Sequence, residues 1–100
     1  MSNYARIVIE VKKEQTERFE KYLSTHPLAD CLYEKKTTDV SRIYDFNCNH
    51  YDRITPSIEK WLNANLEPED FAVVGIDEYG HWENGGMDCP HIYLDIVIDA

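Results

Sequence analysis

A chain of 100 residues is expected to fold as one domain spanning 1–100, and its formal charge of −9 sets it against phosphate backbones and anionic lipid. Hydrophobic content of 43% and aromatic content of 12% argue against disorder, and no apolar run approaches the roughly 20 residues that span a bilayer. The start Met1-Ser2-Asn3-Tyr4-Ala5-Arg6 lacks the features of a secretory leader, and three cysteines without framework spacing point to reduced thiols in a cytoplasm.

Residues 4–11 alternate, with Ala5, Ile7, Ile9 and Val11 on one side, which predicts a strand. The period then changes. Phe19, Tyr22, Leu23 and His26 fall at helical spacing within 13–24 and just beyond, and His26-Pro27 ends the helix. Residues 31–37 and 40–48 read as two strands joined by a tight turn near Thr38-Asp39. The inward face of the second is ambiguous, since Val40, Tyr44 and Phe46 lie on one side and Ile43 with Asp45 on the other. Thr55-Pro56 starts a second helix with the stripe Ile58, Trp61, Leu62 and Leu66.

Residues 71–79 read as a strand with Ala72, Val74 and Ile76 on its core side. The run 80–90 is rich in turn formers, Asn84-Gly85 above all. Residues 91–99 alternate most regularly, with Ile92, Leu94, Ile96 and Ile98 on the core side. A weak repeat links Arg6-Ile7 to Arg42-Ile43, and 19–23 to 58–62.

The order β-α-β-β-α-β-β predicts an α+β two-layer sandwich, a ferredoxin-like β-α-β-β-α-β with an added C-terminal antiparallel strand. In order and size it resembles the dimeric α/β-barrel monooxygenase-like proteins, without any of their functional motifs.

Charge is distributed unevenly along the chain. All ten lysines and arginines precede Trp61, where ten acids balance them. Residues 61–100 hold Glu67, Glu69, Asp70, Asp77, Glu78, Glu83, Asp88, Asp95 and Asp99 and no base. If the last two strands pair as a hairpin, Asp77, Tyr79, Tyr93, Asp95 and Asp99 share the sheet face away from the helices, and Glu78, Trp82 and Glu83 adjoin them. Clustered acids repel one another, and rings supply contact area, so these eight residues form the candidate partner-binding set. The plain alternative is a solvated face that keeps the chain in solution.

Two Cys-x-His pairs, Cys48 with His50 and Cys89 with His91, carry zinc-type ligands, though at a spacing unlike ordinary zinc sites. Buried thiols acting as small hydrophobes are the alternative. Cys89 beside His91 or His81 is the one local pairing of a nucleophile with a base, and nothing marks the thiol as activated. No phosphate-binding glycine loop occurs. Tyr4, Tyr79 and Tyr93, with Tyr44 and Phe46, suggest an aromatic sheet face suited to a second copy.

The sequence thus favours a binding protein over an enzyme. The leading expectation is a small acidic, cytoplasmic protein without cofactor that binds and inhibits a basic, nucleic-acid-binding surface of a partner protein. In size and charge it resembles the phage and mobile-element inhibitors that act as nucleic-acid mimics. It would touch neither nucleic acid nor membrane directly. The alternatives are a ferredoxin-like homodimer with a small-molecule pocket, enzymatic or not, and a zinc module built on Cys48, His50, Cys89 and His91.

Overall fold

A computed structural model describes residues 5–48, 55–77 and 80–85. The fold is α+β. Strands β1 (Ala5–Lys12), β2 (Leu32–Thr37), β3 (Ser41–Cys48) and β4 (Phe71–Asp77) form an antiparallel sheet in the order β2-β3-β1-β4, and β5 (Gly80–Gly85) extends it beyond β4. Helix α1 (Thr16–Leu23) follows β1, and α2 (Thr55–Asn65) follows β3. No helix among the described residues is long and apolar enough to cross a membrane.

The alternation in β1 decides where the helices sit. Ile7, Ile9 and Val11 share one buried cluster with Phe19 and Leu23 of α1, and with Ile58 and Leu62 of α2. Tyr44 and Phe46 of β3 and Phe71 and Val73 of β4 complete it, so both helices lie on this face. Each fully buried aliphatic or aromatic side chain here contributes roughly 1.5–3 kcal/mol relative to exposure. The opposite face of the three central strands carries a second buried cluster: Val8, Ile43, Ala72 and Val74.

Local hydrogen bonds define the joints. A 3-10 turn over Lys13–Gln15 leads into α1, with Lys13 N–H donating to the Val40 carbonyl at 3.0 Å and the Thr16 hydroxyl to the Lys13 carbonyl at 2.9 Å. Hydroxyls of Ser24 and Thr25 donate back to the carbonyls of Lys21 and Tyr22 as α1 ends. The predicted turn at Thr38-Asp39 is built around Thr38, whose Oγ1 accepts from the N–H groups of Val40 and Ser41 while its own N–H donates to the Ser41 carbonyl.

Four sequence-based expectations are corrected. On β4, Phe71 and Val73 face the helices, and Ala72 with Val74 face away, the reverse of the expected sense. Alternation reveals two faces but not which one the helices cover, and both faces of this strand are apolar. Second, part of the turn-rich run is a strand, since 80–85 pairs along β4. Strand β4 is therefore flanked by β1 and β5 over 72–77, which rules out its direct hairpin with 91–99. A strand at 91–99 itself lies outside the described residues. Third, Tyr44 and Phe46 are fully buried beneath the helices and belong to no open aromatic face. Tyr4, Tyr79 and Tyr93 lie outside the described residues. Fourth, the Arg-Ile pairs do not correspond, because Ile7 faces the helices and Ile43 faces away. The helical half of the repeat is sounder: Phe19 and Leu23 occupy the same kind of core position as Ile58 and Leu62.

Candidate functional site

The acidic residues after Trp61 that the structure describes gather at the β4–β5 side of the sheet. A 3-10 turn over Pro68–Asp70 precedes β4 and packs beside β5. Proline at its first position presets the backbone, and Asp70 N–H donates to the Glu67 carbonyl at 2.9 Å. Glu67 and Glu69 are exposed and Asp70 is half-buried. In the ladder, Glu83 stands opposite Val74, Trp82 opposite Gly75, and Gly80 opposite Asp77, the last residue of β4. Asp77 and the acidic turn therefore bracket the strand, roughly 20 Å apart at about 3.3 Å per residue.

Of the eight expected partner-binding residues, Asp77, Trp82 and Glu83 thus share the β4–β5 ladder. Glu78, Tyr79, Tyr93, Asp95 and Asp99 lie outside the described residues. Of the expected metal ligands, Cys48 ends β3 opposite Ala5, while His50, Cys89 and His91 lie outside. Among the described residues no three or more His, Cys, Asp or Glu side chains gather as a metal site.

Arg6, Arg18, Lys35 and Arg42 of the balanced half have described partners. Arg6 grips Asp45 with two bonds, Nε to Oδ1 at 3.1 Å and Nη2 to Oδ2 at 2.8 Å, on the face away from the helices. Arg42 and Lys35 converge on Glu20, Lys35 at 3.5 Å. Arg18 reaches α2 but meets the Asn65 carbonyl and side-chain amide, which carry no charge.

Sequence reasoning passed over three polar groups that the fold assembles. The first is the Glu20 node. Its Oε2 accepts from the Tyr44 hydroxyl at 2.7 Å and from Arg42, whose Nε donates to the Thr37 hydroxyl at 3.2 Å. Burial alone would lift the Glu20 carboxyl, but the Tyr44 and Arg42 hydrogen bonds and the Lys35 charge outweigh it and hold it below the ordinary carboxylate value. Burial, and then the bond to Glu20, push the Tyr44 hydroxyl well above its ordinary value, and the same carboxylate raises Arg42. Glu20 thereby clamps α1 to β2 and β3. The available signal was its position beside Phe19, one step around the helix from the apolar stripe.

The second group is Glu10, fully buried in the middle of the sheet. The Ser41 hydroxyl donates to its Oε2, and Thr38 Oγ1 lies 3.0 Å from Ser41 Oγ. The third is His26. Its Nδ1 accepts from Leu28 N–H at 3.1 Å, so the ring proton sits on Nε2, which donates to Ser57 Oγ of α2 at 2.6 Å. Burial pushes this imidazole below its ordinary value. Beside it Tyr22 stacks on Trp61 at 4.6 Å and 11°, a contact that ties α1 to α2. These groups are held by one another and by the backbone, and serve as joints of the fold.

A shallow depression lined by Val8, Glu34, Lys36, Ile43 and Asp45 holds about 10 Å³. That is room for about one water, far below the roughly 300 Å³ at which ligand pockets begin.

Compared with protein-family models, with curated proteins and with solved structures, the chain finds no match.

Proposed function

We propose that this chain is a small acidic, non-enzymatic, cytoplasmic protein that docks on a basic, nucleic-acid-binding surface of a partner protein and blocks it. One observation carries the reading: the described ion pairs of the balanced half join Arg6 to Asp45, and Lys35 and Arg42 to Glu20, all before Trp61. The exposed acids of 67–70 lie beside the strand that bears Trp82 and Glu83. Negative charge of this kind stands in for phosphates and speeds encounter with a cationic surface, while an aromatic ring supplies contact area. Asp77, Trp82 and Glu83 are the docking residues on the ladder, and Glu78, Tyr79, Tyr93, Asp95 and Asp99 extend the set. The strand order β2-β3-β1-β4 with both helices on one face supports reading the chain as a single two-layer domain of ferredoxin-like kind.

The test is a pull-down from the native host, repeated at about 0.05 M and about 0.5 M salt, because exposed charge is screened within roughly 10 Å at 0.1 M. The wild-type chain is expected to retain a nucleic-acid-binding protein at low salt and to inhibit its DNA or RNA binding. The E67Q/E69Q/D70N/E83Q variant should not. Capture indifferent to both salt and neutralisation would overturn the proposal.

A further inference from the structure

At the edge of the sheet farthest from the acidic side, strand β2 pairs among the described residues only with β3, and all six of its residues are exposed, Tyr33 at 72%. Thr38 N–H donates to the Ser41 carbonyl across the turn, so Thr38 directs its main chain toward β3. Alternation then turns Lys36 inward and leaves the N–H and C=O groups of Lys35 and Thr37 pointing outward, unpaired by any described strand. Such an edge is a template for another strand.

We propose that β2 is a dimerisation edge, pairing antiparallel with β2 of a second copy about a two-fold axis that passes between the two Lys35 residues, perpendicular to the sheet. The choice of register follows from charge. Glu34 and Lys36 share the face away from the helices, where both line the depression with Val8, Ile43 and Asp45. With the axis at Lys35, Glu34 of each copy stands opposite Lys36 of the other, giving two opposite-charge pairs at non-hydrogen-bonded positions, where side chains approach most closely. Moving the axis by one residue sets Glu34 against Glu34, or Lys36 against Lys36, which is destabilising.

Lysines on an edge ordinarily discourage pairing. Here Lys35 sits on the helix side, where Glu20 lies 3.5 Å away and offsets the charge it would bring to the axis. Lys36 finds its counter-charge only in the second copy's Glu34 or in the neighbours on its own face. The bulge between Leu32 and Glu34 ends the ladder, so the contact is short and the dimer weak and concentration-dependent. This pairing is independent of the proposed function. Among the described strands it places the two β5 strands at the far ends of the combined sheet, roughly 45 Å apart at about 4.8 Å per strand.

Sedimentation equilibrium of the full chain between about 10 µM and about 1 mM tests the proposal. The mass is expected to rise from one chain toward two. Glu34→Lys and Lys36→Glu should each weaken association about tenfold, since each turns both attractive pairs into repulsive ones. The double reversal E34K/K36E should restore it, which a merely structural defect would not do. Lys35→Pro removes an outward N–H, leaves the ladder to β3 intact and should abolish the dimer, with circular dichroism checking the fold. A monomer throughout the range, a dimer indifferent to the single reversals, or no recovery in the double variant would overturn it.

Discussion

Replacing Tyr44 by phenylalanine removes one oxygen from the joint between α1 and the sheet and little else. The ring is fully buried, packs edge-on against Phe19 at 4.9 Å, and its hydroxyl donates to Glu20 Oε2 at 2.7 Å. Phenylalanine keeps the ring contacts, so the change isolates one hydrogen bond to a carboxylate. Such bonds contribute about 1.5–3 kcal/mol. Glu20 retains Arg42 and Lys35 and is partly open to solvent, which moves the expected loss to about 1–2 kcal/mol. For a chain of 100 residues that lowers Tm by roughly 4–12 °C. The pH dependence adds a second signature. Glu20's folded value lies below its ordinary one, so its contribution is fully present above the ordinary value and is lost as pH falls through the folded one. The gap in stability between wild type and Glu20→Gln should therefore be widest near neutrality and narrow in acid, and Tyr44→Phe should shift the narrowing to higher pH. Urea denaturation at a series of pH values measures both. Equal stability of Tyr44→Phe and wild type, with an unchanged acid limb, would refute the assignment of Glu20 as the clamp.

Other consequences follow from the same geometry. Ser41→Ala deletes a donor to the buried Glu10 carboxylate and should cost about 1–3 kcal/mol by chemical denaturation, with the far-ultraviolet spectrum unchanged. Phe19→Ala opens a cavity between Tyr44 and Trp61 and should cost about 3–5 kcal/mol, a large share of a typical domain's stability, visible as a collapsed urea midpoint. His26 has a depressed folded value, so its contribution should be full above the ordinary imidazole value and be lost as pH falls from there through the lower folded one. Protonation at Nδ1 displaces the Leu28 N–H bond, and His26→Asn should flatten that limb of the pH–stability curve.

Local periodicity in the chain determined a good deal. Val8 and its neighbours alternate as only a strand does, Phe19 and Leu23 recur as on a helix, and Thr38 marks the turn, all of which depend on contacts within a few residues. It also determined the partition of charge, because that needs only a count. Which face of β3 and β4 lies under the helices was a tertiary decision: Tyr44 and Ile43, or Val73 and Ala72, are equally apolar, and only the helices bearing Phe19 and Ile58 break the tie. The Glu20 node joins residues 20, 35, 37, 42 and 44, which no sequence spacing relates, and the Ser41 hydroxyl that meets the buried Glu10 comes from β3, 31 residues along the chain. Strand β5 is the clearest case. Gly80, Gly85 and Asn84 argue locally for turns, and the open edge of β4 supplies the hydrogen-bond partners that make 80–85 a strand instead.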